Sequence, residues 1–193
     1  MLPPPDLLLP ARAGLPDSIA YLRARYPQSG WRSHARFGQL ADFWLHVHAA
    51  LRAEAAALGE LNARARGDGL DPAALPAHFV PPFNAFLGHL DAHHRIEDAA
   101  YFPKFRALDP RMAAAFDLLE NDHHRIDAAL HAALETARAM VDSARGPTAA
   151  ARSAIDRHAD AFTDLTTLLD RHLADEEEIV IPAMLEHGER SVS

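Results

Sequence analysis

Apolar residues recur in steps of three and four along four long stretches of the chain, the period of one buried helical face. The first stretch carries Phe37, Leu40, Trp44, Leu51, Ala55 and Leu58, and the second carries Phe83, Phe86 and Leu90. The third carries Phe116, Leu119, Ile126 and Leu130, and the fourth Phe162, Leu165, Leu169 and Ile179. Ser33 is the expected N-cap of the first helix, which stops at the breaker GDGLDP, residues 67–72. Pro82 falls near the first turn of the second helix and Pro103 at its end. Asp109 and Pro110 read as N-cap and first residue of the third, which runs to Gly146 and Pro147. The fourth opens at about Thr148 and meets Pro182, with a last turn or two before Gly188. Long helices with short connections predict an all-α fold, an antiparallel up-down-up-down four-helix bundle over residues 33–193. Residues 1–32 are proline-rich and predict an irregular N-terminal extension draped over the bundle, with a short helical candidate at Asp17–Arg25.

Each stripe is interrupted near mid-helix by a histidine: His48, His93, His123 and His172. Two are interrupted again four residues later, by Glu97 and Glu176. Burying imidazoles and carboxylates costs kilocalories per group unless they are paired or bind metal. Four helices that share this interruption imply a common polar centre. An internal repeat supports it. HHRIEDAAYFP (93–103) and HLADEEEIVIP (172–182) both place Glu at +4, a second acid at +5 and Pro at +10 from the first histidine. With 3.6 residues per turn, i and i+4 lie one above the other on one face. The four imidazoles and two carboxylates then converge on the bundle axis, a donor set suited to a pair of transition-metal ions.

Composition narrows the setting. The chain has 13 histidines among 193 residues, no cysteine and a formal charge of −8. The missing thiols remove disulfides, thiolate metal sites and cysteine nucleophiles, and fit a reducing cytoplasm. The acidic balance argues against nucleic acid or anionic membrane as partner. No window reaches the roughly 20 apolar residues of a membrane span, and MLPPPDLLLPARAG does not read as a signal peptide.

The duplicated His and Glu offsets, each set in an apolar stripe, resemble the hemerythrin-like, HHE cation-binding family over about residues 35–187. The resemblance implies an antiparallel four-helix bundle around a non-haem di-iron centre. It implies His48, His93, Glu97, His123, His172 and Glu176 as metal ligands, with Glu97 and Glu176 bridging the irons. Zinc or manganese are alternative metals.

The sequence departs from the oxygen carriers of that family at two places. Their second histidine on the third helix falls on Asp127, which stands as a carboxylate ligand, an acceptor for an imidazole N–H, or a solvated acid. Their last bridging acid falls on Glu177, an alternate to Glu176. His89, one turn before His93, is a further candidate ligand or a hydrogen-bonded core histidine. Asp98 is expected to be solvated and Tyr101 to pack. His94 and His124 sit about 100° around their helices from the ligand line. They are expected to be flanking or surface residues, as are His34, His78, His131, His158 and His187; His46 competes with His48 but lies off the stripe. More carboxylate and fewer imidazoles favour oxidised metal over reversible oxygen carriage. The expected partner is dioxygen, nitric oxide, peroxide or a related small ligand, in sensing, scavenging or iron handling. A di-iron oxidase or peroxidase, or a structural or storage bundle holding zinc, is the rival reading. No nucleophile–base pair names a reaction. Ferritin-like di-iron bundles need ExxH on two helices, and Glu120–His123 stands without its companions.

Overall fold

The computed structural model describes Pro4, residues 7–67 and residues 69–193, and among these it is all-helical, with no strand. The helices are α1 (Gln39–Arg66), α2 (Leu75–Ile96), α3 (Phe102–Leu108), α4 (Ala113–Ser143) and α5 (Thr148–His187). No helix among the described residues is long and apolar enough to cross a membrane. The chain divides into two compact units, each fed by segments of α1, α2, α4 and α5.

The first unit comprises Met1–Ala49, Ala92–His124 and Asp170–Ser193. Its core joins Trp44, Phe102, Phe105, Phe116, Val180 and Met184 to Leu15, Leu22, Tyr26 and Trp31 from the N-terminal stretch. That stretch is irregular, as its prolines predict, but it is built into the core. Arg12 is buried there, pairing with Asp122 and, at 2.7 Å, with Asp175. Asp17–Arg25 forms turns where a short helix is expected.

Helix α1 starts later than its local sequence suggests. Ser33 closes a 3-10 turn, Gln28–Ser33, and its hydroxyl donates to the Gly30 carbonyl instead of capping a helix. The open N–H groups of α1 are capped from the other end of the chain. The Glu189 carboxylate accepts from Gly38 (2.9 Å), Leu40 (3.1 Å) and Ala41 (2.9 Å), an acid at the positive end of the helix dipole. A Cβ at position 38 would meet that carboxylate, so glycine there lets the Glu189 side chain come this close.

The helix does not stop at Pro103 or Pro182, and Pro82, expected near the first turn of the second helix, lies deeper in it. Pro81 and Pro82 lie inside α2, and Pro182 lies inside α5, which continues to His187 before Gly188 breaks it at φ +86°. Pro103 sits in the first turn of α3, directly after a π-helical turn, Glu97–Tyr101, in which the Phe102 N–H reaches the Glu97 carbonyl. Pro103 removes one helical donor and crowds the preceding turn; widening that turn lets the chain stay helical through it. Asp109 caps the following 3-10 turn through the Arg111 N–H, as its place before Pro110 predicts.

The second unit comprises Ala50–Asp91 and Arg125–Leu169. Phe79, Phe83 and Phe162 close around His158, which is fully buried and not on the surface as expected. Its place one turn before Phe162 continues the apolar stripe of α5.

Candidate metal centre

The polar residues of the stripes meet in the first unit. His48 comes from α1, His93 from α2, Glu97 from the π turn, His123 from α4, and His172 and Glu176 from α5; all six are buried. They form two overlapping groups, His48–His93–Glu97–Glu176 and Glu97–His123–His172–Glu176. In each group one ligand atom per residue lies within 4.8 Å of the others. Both carboxylates belong to both groups, and their oxygens divide between them. Glu97 Oε1 lies 3.2 Å from His93 Nδ1, and its Oε2 lies 3.6 Å from His123 Nε2. Glu176 Oε1 lies 3.3 Å from His48 Nε2, and its Oε2 lies 3.2 Å from His172 Nε2. His123 Nε2 and His172 Nε2 are 3.1 Å apart.

Outer carboxylates orient these rings. Asp98 is half-buried and meets His123 Nδ1 at 2.8 Å, not solvated as expected. Glu177 meets His48 Nδ1 at 3.0 Å. A carboxylate on Nδ1 fixes the proton there and turns the Nε2 lone pair inward. Asp122 faces His172 Nδ1 at 3.6 Å, an electrostatic contact longer than a hydrogen bond. Asp122 and Asp175 are both inaccessible, and Arg12 ties them together. Sequence reasoning missed this Arg12–Asp122–Asp175 cluster; the only sign of it is two acids at buried helical positions. Trp44, legible as a core residue, also donates its indole N–H to Glu176 Oε1 at 2.6 Å. Tyr101 packs edge-on against Trp44, at 5.0 Å between centroids.

Proximity splits the protonation states. Burial would lower His48, but the charge of Glu176 and bonds to Glu176 and Glu177 hold it well above its usual value. Burial opposes ionisation of Glu176 as well, yet His48 and His172 keep it well below the usual carboxylate range. Glu97 is pushed well above that range by burial and by the neighbouring Glu176 charge. Burial lowers His93 to about 3 and also lowers His123. His172 is raised because Asp122 and Glu176 outweigh its burial. Neutral imidazoles with inward lone pairs are metal donors.

The donor atoms fit a metal by a further criterion. Among the described residues, His48 Nε2, His93 Nε2, both Glu97 oxygens and Glu176 Oε2 are buried without a hydrogen-bond partner. Buried polar atoms left unsatisfied in such number are rare in a folded core, and once deprotonated these groups are the donors that a metal cation binds.

Three weaker candidates fall elsewhere. Asp127 is exposed beside His131, and His89 is partly exposed and meets Glu54 at 3.0 Å; both lie in the second unit and outside the two groups. Glu177 borders the centre through His48 but belongs to neither group. His94 moves the other way. Expected at the flank, it forms a third group with His123 and His172. His78, His124 and His131 are exposed, as expected, and so is His46, the competitor to His48.

No curated protein and no solved structure matches the chain significantly. The family model of the hemerythrin HHE cation binding domain matches residues 39–184, which include every residue of the three groups. The buried, doubly shared carboxylates and the family match agree, and the chain belongs to the hemerythrin HHE cation-binding family.

Proposed function

We propose that this protein holds a pair of iron ions through His48, His93, Glu97, His123, His172 and Glu176, with Glu97 and Glu176 as bridges. The centre then serves to bind dioxygen, nitric oxide or a related small ligand in sensing, scavenging or iron handling. The division of carboxylate oxygens carries the reading: each of Glu97 and Glu176 turns one oxygen toward one histidine group and the other oxygen toward the other. A mixed imidazole and carboxylate set suits iron better than calcium or magnesium, which take oxygen ligands. Such ions, when bound, supply redox-active positions that accept a diatomic ligand.

The chain's own residues set the conditions. Trp44 holds the Glu176 carboxylate in place, and Asp98 and Glu177 hold the tautomers of His123 and His48. Phe102, stacked on His123 at 5.4 Å, and the aromatic pair Trp44 and Tyr101 wall the centre against water. The up-down-up-down arrangement of the long helices is part of the proposal; the short connections between α1 and α2 and between α4 and α5 support it.

The test is elemental analysis with the absorption spectrum of protein purified in air, followed by nitric oxide titration. A pair of irons per chain, near-ultraviolet bands and a spectral change with nitric oxide are expected. Zinc, or a single metal with a featureless spectrum, would overturn the reading in favour of a structural or storage bundle.

A further inference from the structure

We propose that His94 is a third imidazole ligand, serving the same metal position as His123 and His172. The inference rests on the metal reading above and extends its donor set by a residue whose spacing excludes it from the repeated pattern.

The observations are geometric. Ligand atoms of His94, His123 and His172 lie within 4.8 Å of one another, as close as those of the two carboxylate-containing groups. The His94 ring lies parallel to that of His123, with centroids 4.0 Å apart and planes inclined by 15°. It meets His172 edge-on at 5.5 Å. Its Nε2 is buried and has no hydrogen-bond partner among the described residues. A buried ring nitrogen without a partner calls for an explanation, and here it comes together with two candidate ligand rings.

Neighbouring residues on a helix diverge by about 100°, so His93 and His94 do not share one metal position. The centre is wide enough to use both. His93 turns toward His48, at 5.0 Å between centroids, whereas His94 turns toward His123 and His172. Helix α2 thus straddles the pair of positions: His93 serves one, His94 the other, and Glu97 reaches both. The exposed Asp127 contributes nothing to this side, so a third donor comes from α2 and not from the next turn of α4.

The experiment compares iron-loaded wild type, His94→Phe and His94→Ala by metal retained under chelator competition and by absorption spectrum. His94→Phe keeps a flat ring to stack on His123 and removes the donor; circular dichroism checks that it folds. A loss of metal affinity of about tenfold or more at one position is expected in both variants, with a shifted spectrum. Added imidazole should restore retention in His94→Ala, because His94 as a residue is only partly buried and the space its ring leaves fits a free imidazole. Wild-type retention and spectrum in His94→Phe would overturn the proposal while leaving the metal reading intact. So would a loss in His94→Ala that imidazole does not reverse. A wild-type chain that takes up no iron overturns both.

Discussion

Trp44 donates its indole N–H to Oε1 of Glu176 across 2.6 Å, joining the aromatic core of the first unit to a carboxylate at the middle of its polar centre. The bond crosses from α1 to α5 and leaves Glu176 Oε2 toward His172. Trp44 is in turn held by edge-on contacts with Tyr101 and Phe105. A side chain that looks like packing therefore aims a candidate bridge.

Trp44→Phe should keep the ring contacts and lose the donor. Hydrogen bonds to charged groups contribute about 1.5–3 kcal/mol, so the metal-free protein should lose stability of that order in urea. Metal affinity should fall about 10- to 100-fold by chelator competition. Unchanged affinity would mean that Glu176 needs no external orientation.

The two carboxylates should separate in the metal-free protein. Glu97 is held protonated by burial and by Glu176, so Glu97→Gln replaces one neutral group with another and should leave metal-free stability nearly unchanged. Glu176 is ionised against His48 and His172, and Glu176→Gln strands those cations at a cost of about 3 kcal/mol. Both variants should lose metal. Equal metal-free stabilities, measured by denaturant titration, would contradict this assignment of charge.

Arg12 offers a test of the N-terminal stretch. Arg12→Met leaves Asp122 and Asp175 as buried acids with their main cation gone and should cost about 3–5 kcal/mol. The exposed pair of Arg66 with Asp160 is the control, since breaking such a pair costs about 1 kcal/mol or less. Similar losses for Arg12→Met and Arg66→Met in urea would show that the stretch merely covers the unit.

His158 predicts an acid-sensitive step in the second unit. Burial lowers it from 6.5 to about 4, with the Ala133 carbonyl offsetting part of the effect. Its folded value lies below its unfolded value, so between these limits the unfolded chain binds the extra proton. Stability is therefore lost as pH falls through that window, by about 3 kcal/mol from this group. His158→Leu should lose less stability than wild type between pH 7 and pH 4.5, measured by denaturant midpoints. Thr136 keeps its hydroxyl bonded to the Ala132 and Ala133 carbonyls in that variant. Parallel pH profiles for the two proteins would refute the assignment.

The sequence by itself determined the helical character and the histidines and glutamates of the centre. Both are local properties: a stripe every three or four residues defines one face, and an i,i+4 offset puts His93 over Glu97 and His172 over Glu176 whatever packs opposite. Only the tertiary structure decided the rest. Asp98 and Glu177 lie beside the ligand line, and what they touch depends on which helix presents His123 or His48 to them. The same dependence brings His94 inward and leaves Asp127 in solvent, because facing rings and not helical phase decide which flank is enclosed. The π turn at Glu97–Tyr101 changes the phase after the motif, which a constant period of 3.6 residues does not anticipate. Arg12 is read locally as a loop residue; its burial follows from two carboxylates more than a hundred residues away, whose charge no local pattern reveals.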